Sequence, residues 1–188
     1  MEEKFWNWFL NNKHLLENYI DCKSNSLDII DLLNERIFEY NSLLFAEITS
    51  NTDGSYVLIL TCDGRAKGVY PLTKLAHFAP DVQKWSIQQF RKPGRVFELN
   101  YMGLELRADD FRFKHWLEMD ENHIDIYIPR YRKEDERFST LALLYLDHFI
   151  GEYEVITKIE SVGFKKLTLF TRKKTLINLK QLSEIINN

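Results

Sequence analysis

The sequence predicts an α+β fold, a mainly antiparallel sheet packed with helices, with a helical hairpin at the N-terminus. Three observations lead to this class: helical periodicity near both ends of the chain, alternating apolar residues in its middle, and Asp-Gly pairs typical of tight turns. Hydrophobic residues make up 45% of the 188 positions, which is enough for one sizeable core. Residues 1–188 are therefore expected to form a single domain.

The N-terminal helical hairpin is predicted from two amphipathic segments. Residues 3–20 carry an apolar stripe with helical spacing, and Trp8 lies on that stripe. A second helix follows, with Ser26 or Asn25 as its N-cap. The residues expected to face inward from it are Ile30, Leu33, Ile37 and Tyr40. The polar break at residues 22–25 joins the two helices.

A first β-hairpin is predicted around Asp53-Gly54, a pair typical of two-residue turns. The resulting register places Ile48 opposite Ile59. Glu47 then shares a strand face with three apolar residues, which are Phe45, Leu58 and Leu60. A carboxylate buried among them needs a partner. The candidate partners are Arg65, Arg91 and Arg107.

The central prediction is a second β-hairpin over residues 111–128, where apolar residues alternate along both arms. A two-residue loop at positions 120–121 places Leu117 opposite Ile124 and collects the apolar side chains of both arms on one face. The opposite face is a mixture of aromatic and charged residues that suits solvent or a partner.

The remaining elements follow from periodicity and turn residues. Helices are predicted over residues 71–78, 134–150 and 177–186, and Gly151 is well placed to end the second of them in a left-handed conformation. Strands are predicted over residues 85–91, 96–101, 104–108, 153–161 and 166–171.

The totals exclude several classes of protein. A net charge of −3 provides no general attraction to nucleic acid or to an anionic membrane. Cys22 and Cys62 are far apart and have no metal-binding or redox spacing, so reduced thiols are expected. No motif indicates a cofactor, and neither a cofactor nor a metal is predicted. No apolar run approaches the length of a transmembrane helix. These features predict a cytoplasmic protein that binds neither membrane nor nucleic acid, and they leave its oligomeric state open.

The candidate catalytic residues are Asp147, His148 and Glu152, near the end of a predicted helix, with Glu47 as a further carboxylate. Imidazole and carboxylates together can perform acid–base chemistry or bind a divalent metal. The alternative interpretation is structural, because a histidine near a helix C-terminus also complements the helix dipole. The sequence contains no nucleotide-binding, serine-hydrolase or zinc-protease motif.

The candidate binding residues are Trp116, Asp125 and Tyr127 on the mixed face of the second hairpin, together with Trp85 at the start of a strand. Tryptophan and tyrosine are common anchors of protein interfaces. Two short basic runs, 130–133 and 172–174, are interpreted as solvated surface. A third hypothesis, nucleic-acid binding, requires both runs to lie on one face.

Three motifs suggest a relationship. They are Trp6, Trp8 and Phe9 near the start, Ala79-Pro80 followed after four residues by Trp85, and the run from Asp147 to Glu152. Together they resemble a family of bacterial cytosolic proteins that has no assigned function. The resemblance implies a bacterial source and a single domain, and it implies no catalytic residues.

The leading functional hypothesis is a cytosolic bacterial protein-interaction module, for example an immunity or antitoxin-like protein that covers a partner's surface. The alternative is a small enzyme or ligand-binding domain that uses the Asp/His/Glu cluster. Acidic charge would steer a basic partner into contact under the first hypothesis.

Overall fold

The computed structural model describes residues 1–22, 28–94, 98–171 and 175–188. It confirms the α+β class, with helices and small sheets along the whole chain. The chain divides into two compact units, which are unit 1 (Met1–Arg91) and unit 2 (Lys92–Asn188). Whether residues 1–188 act as one domain stays a prediction.

Unit 1 contains a helical pair and a three-stranded sheet. Its elements are α1 (Glu2–Ile20), α2 (Asp28–Tyr40), β1 (Phe45–Ser50), β2 (Tyr56–Thr61), α3 (Val69–His77) and β3 (Trp85–Gln89). The strand order is β1-β2-β3, in which β1 and β2 are antiparallel and β3 runs parallel to β2. Helix α3 makes the connection that this parallel pairing requires.

The predicted N-terminal helical hairpin is confirmed. The end of α2 returns to the start of α1, where Lys4 Nζ lies 3.0 Å from Glu39 Oε2. Trp6, rather than the predicted Trp8, is buried, and its indole N–H donates to the Leu75 carbonyl at 2.9 Å. The predicted caps Ser26 and Asn25 lie outside the described residues.

Glu2 links the first turn of α1 to α3, because its carboxylate lies 2.7 Å from Lys74 Nζ. The Lys74 hydrogen bond is the main cause that lowers the pKa of Glu2 to about 2. Because the pKa of Glu2 is lower in the folded state, its ion pair with Lys74 stabilises the fold above the ordinary pKa of 4.5. This stabilisation is lost as the pH falls towards 2.

We expect Lys74→Met to raise the pKa of Glu2 and to reduce the loss of stability between these two pH values. Carboxyl NMR titration and urea unfolding at each pH measure the two effects, and an unchanged Glu2 titration would contradict the link.

The first hairpin forms, but its predicted register is wrong by one residue. Glu47 lies opposite Ile59, and Ser50 lies opposite Tyr56. The loop between Ser50 and Tyr56 is therefore five residues long. Within this loop, Gly54 has a positive φ of 79° and donates its N–H to the Asn51 carbonyl at 3.0 Å. Asp53-Gly54 therefore ends the turn instead of forming its centre. The odd shift moves Glu47 to the other strand face from Leu58 and Leu60.

Unit 2 contains a β-ribbon, a three-stranded sheet and three helices. Its elements are β4 (Glu98–Tyr101), β5 (Leu104–Arg107), β6 (Arg112–Glu118), β7 (Glu121–Pro129), α4 (Arg137–Ile150), α5 (Glu152–Lys158), β8 (Ile159–Leu167) and α6 (Leu179–Asn187). β4 and β5 pair antiparallel. The larger sheet has the order β6-β7-β8, in which β6 and β7 are antiparallel and β8 runs parallel to β7.

The central hairpin has the predicted faces and a register shifted by two residues. The loop is Met119-Asp120, both with positive φ, so that Leu117 lies opposite Asn122 instead of Ile124. An even shift keeps every side chain on its predicted face. The three isoleucines of β7 are therefore buried as expected, whereas Leu117 and Met119 are exposed near the loop.

Two predicted strands are wrong in part, because residues 153–158 are helical and residues 168–171 lie outside β8. Residues 153–158 form most of α5, and the strand begins only at Ile159. β-branched residues in this segment favour a strand, but Val155 packs into the core of unit 2 from a helix. Glu152 and Glu154 lie in the first turn of α5, where negative charge complements the helix dipole.

Candidate functional site

Glu47 is held by Arg91, one of its three predicted partners. The guanidinium of Arg91 is buried and lies 2.6 Å from Glu47 Oε1 and 3.2 Å from Asp63 Oδ1. The Glu47 side chain is 42% exposed, so the predicted deep burial of this carboxylate is wrong. The arrangement joins β1 and the end of β2 to the segment after β3, which is a structural role.

The predicted catalytic cluster lies at the junction of α4 and α5. Asp147 and Glu152 are buried, and His148 is partly buried. All three residues have polar or electrostatic partners. Among the described residues, no group of three or more His, Cys, Asp or Glu side chains could hold a metal ion. Burial of both carboxylates leaves them out of reach of a substrate in this conformation.

The predicted contact face of the central hairpin is built from an aromatic and a charged half. Trp116 stacks on His123, with ring centroids 5.6 Å apart and planes 18° apart, and Lys114 Nζ lies 5.3 Å from the Trp116 ring. His123 Nδ1 is 2.7 Å from Ser161 Oγ on β8. Trp116 and His123 are both partly exposed.

The charged half of this face is mostly buried. Asp125 is buried and lies 2.5 Å from Lys165 Nζ. This hydrogen bond raises the pKa of Lys165. Gly163 lies opposite Asp125, where a Cβ would be only 2.4 Å from Asp125 Oδ1. Tyr127 is only 3% exposed. The structure therefore does not present Asp125 or Tyr127 for contact with a partner.

Trp85, the fourth predicted binding residue, is a core residue of unit 1. Its ring packs edge-on against Phe9 with centroids 5.1 Å apart, and its indole N–H donates to Glu17 at 2.8 Å. Of the basic runs, Arg130, Arg132 and Lys133 are exposed as expected. Residues 172–174 lie outside the described residues.

An acidic groove that the sequence analysis missed lies between α2 and β1. It is open to solvent, has a volume of about 470 Å³ and is lined by Asp31, Asn34, Glu35, Phe38, Glu39 and Phe45. This set of residues is called the α2 groove below. Asp31, Glu35 and Phe38 follow the i, i+4, i+7 spacing of one helix face and are all exposed.

The apolar part of the α2 groove is aromatic. Phe38 is 58% exposed, and the partly buried Phe45 has the Arg65 guanidinium 5.0 Å from its ring centroid. Phe38 therefore leaves apolar surface in water next to the partly buried Phe45.

Among the described residues, the unpaired negative charge of the α2 groove comes from two of its three carboxylates, Asp31 and Glu35. Glu39 is balanced by Lys4 and Arg36, which lie 3.0 Å and 2.5 Å away, and the Lys4 hydrogen bond is the main cause that lowers the pKa of Glu39. Asp31 and Glu35 form no ion pair with another described residue. The groove thus presents an exposed aromatic ring beside uncompensated negative charge.

Comparison of the chain with protein-family models, with curated proteins and with solved structures found no match. The site is therefore interpreted from its own geometry. None of the described helices is both long enough and apolar enough to cross a membrane.

The sequence does contain a signal for the α2 groove. Phe38 follows Ile37 directly and lies off the apolar stripe of its helix, on the side that carries Asp31 and Glu35. A large aromatic residue on the polar side of an amphipathic helix departs from the usual apolar stripe, and this departure is the signal.

Proposed function

We propose that this chain is a cytosolic bacterial protein-interaction module of the immunity or antitoxin kind, and that its α2 groove binds a basic segment of a partner protein. The observation that carries the proposal is Phe38, exposed beside Asp31 and Glu35 on one helix face. An aromatic residue supplies the desolvated anchor of an interface, and nearby carboxylates accelerate association with a positively charged partner.

The geometry of the α2 groove supports one kind of binding segment. Phe38 and Phe45 provide an apolar floor, which favours a partner with an aliphatic or aromatic side chain in its centre. Asp31 and Glu35 lie one helical turn apart along one edge, where lysine or arginine residues of the partner can pair with them. The partner class is therefore a basic protein with an exposed apolar residue.

We expect Phe38→Ala to weaken binding by about 2 kcal/mol, or roughly 30-fold, since truncation of a central aromatic anchor commonly has this cost. Phe78→Ala is the matched control, because Phe78 is exposed to a similar extent, 56%, and does not line the groove. Proteins captured from a lysate of the source cell by wild type, Phe38→Ala and Phe78→Ala are compared quantitatively. The captured partner is then titrated against each variant by calorimetry.

The contribution of the two carboxylates to binding is tested separately, by the rate of association and its dependence on salt. Asp31→Asn together with Glu35→Gln should slow association and remove most of its dependence on salt, because exposed charges are screened over about 8 Å at physiological ionic strength. Equal capture of a stoichiometric partner by wild type and Phe38→Ala, or no such partner at all, would refute the proposal.

A further inference from the structure

Strand β8 is the exposed edge of the larger sheet in unit 2. Within the described residues, β8 pairs with β7 on one side and with no strand on the other. It is nine residues long, from Ile159 to Leu167. An open edge of this length presents a row of backbone donors and acceptors that can pair with another strand.

The sequence of β8 is complementary to itself in antiparallel orientation. With Gly163 opposite its own copy, Glu160 lies opposite Lys166, and Val162 lies opposite Phe164. The pairing of β8 with β7 is regular from Ser161 to Leu167, and Glu160 lies at a bulge between the pairs Ile159–Asn122 and Ser161–His123. Opposite charges and apolar pairs directly across an antiparallel ladder both stabilise it. A register that brings the two lysines of one strand opposite those of its copy would be repulsive.

The side chains needed for these pairs are available. Glu160 and Lys166 are exposed and form no ion pair with another described residue. Lys165 is already held by Asp125 of its own chain, so its charge is neutralised in place. Gly163 has no side chain that would keep two copies of the strand apart.

From this complementarity we infer that a second copy of the chain pairs with β8, forming a two-fold symmetric dimer with Gly163 on the axis. The two sheets then join into one six-stranded sheet, with β8 of each protomer at its centre. The pairing is isologous, so each cross-strand contact occurs twice. This inference is independent of the α2 groove and of any partner protein.

A charge-swap experiment tests the register. The mass of the purified full-length chain is measured by analytical ultracentrifugation from about 1 µM to about 1 mM, a range suited to a small, weak interface. We expect wild type to dimerise within it, and Glu160→Lys or Lys166→Glu alone to raise the dissociation constant about tenfold, because each puts like charges opposite each other twice. The double variant Glu160→Lys/Lys166→Glu should recover the wild-type value. A monomer throughout, or a double variant no better than the single ones, would overturn the inference.

Cysteine cross-linking provides a second readout that does not depend on affinity. In a Cys22→Ser background, which removes the exposed native thiol, Glu160→Cys combined with Lys166→Cys should give a covalent dimer on oxidation. Residues directly opposite in an antiparallel pair have the separation that a disulfide requires. Each single cysteine variant should form no disulfide-linked dimer, because positions 160 and 166 are about 20 Å apart along the strand. Equal cross-linking by a single variant and the double variant would contradict the proposed register.

Discussion

Tyr145→Phe is expected to lower the free energy of unfolding by about 3 kcal/mol, since it leaves two backbone groups without their hydrogen bonds. The Tyr145 side chain is fully buried; its hydroxyl donates to the Leu106 carbonyl at 2.5 Å and accepts the Leu99 N–H at 2.8 Å. Leu99 and Leu106 belong to the paired strands β4 and β5, so one hydroxyl fastens that ribbon to α4. Burial raises the pKa of Tyr145, which keeps the hydroxyl protonated at neutral pH.

Urea unfolding measures the effect, with Tyr131→Phe as the control because the Tyr131 hydroxyl makes no hydrogen bond with another described residue. The control should change the free energy of unfolding by less than about 0.5 kcal/mol.

Hydrogen exchange of the Tyr145→Phe variant also tests the domain organisation. A single cooperative domain would lose amide protection across residues 1–188 in the variant, whereas separate domains would lose it in unit 2 alone. A change of similar size in both variants would refute the role given to Tyr145.

Gly68→Ala is expected to destabilise unit 1 by a comparable amount, about 3 kcal/mol, through overpacking. Gly68 is buried immediately before α3, and a Cβ there would lie 2.4 Å from Cys62 Cβ and 3.5 Å from Leu43 Cβ. Cys62 Cβ is attached directly to the backbone after β2, so the clash requires the main chain to move instead of a side-chain rotation.

Thermal and urea unfolding of Gly68→Ala are compared with those of Gly94→Ala, where a Cβ would meet nothing within 4 Å. The Gly94 variant should stay within about 0.5 kcal/mol of wild type. Adding Cys62→Gly to Gly68→Ala removes the atom that clashes, so the two substitutions should be less harmful together than the sum of their separate costs. Strict additivity would show that the close approach is not the cause.

The fold class and the faces of the central hairpin could be predicted from the sequence because burial constrains them. Alternation decides which side chains face the core, and Ile124 and Ile126 are buried as that argument requires. The same argument cannot separate two registers that differ by two residues. The choice of Met119-Asp120 as the loop depends on backbone conformations with positive φ, for which neither residue type is the usual signal.

Two other errors have separate causes, the first local and the second tertiary. Asp53-Gly54 is a strong turn signal, yet Asp53 Oδ1 accepts the Ser55 N–H at 2.9 Å and helps to build a longer turn around it. Residues 153–158 have the composition of a strand, but packing of Val155 into the core of unit 2 outweighs that local preference. The local pattern does not contain the tertiary contact of Val155 that decides the second case.

The exposure of the candidate binding residues was predicted less well than the fold. Of the aromatic anchors proposed from the sequence, Trp85 and Tyr127 are buried, and only Trp116 keeps part of its ring in solvent. Residue type identifies a possible anchor, but exposure depends on the third strand of each sheet and on helices distant in sequence. Phe38 was detectable from helical spacing, because its position on the polar side of α2 is a local property.

The contiguity of unit 1 has a consequence for synthesis of the protein. All internal partners of its sheet, from β1 to β3, lie within the first 91 residues. The ribosome adds roughly 5–20 residues per second, so the 97 residues of unit 2 take roughly 5–20 s to make. Hairpins close in roughly 1–10 µs. The nascent chain therefore has ample time to assemble its first half before the second half leaves the ribosome.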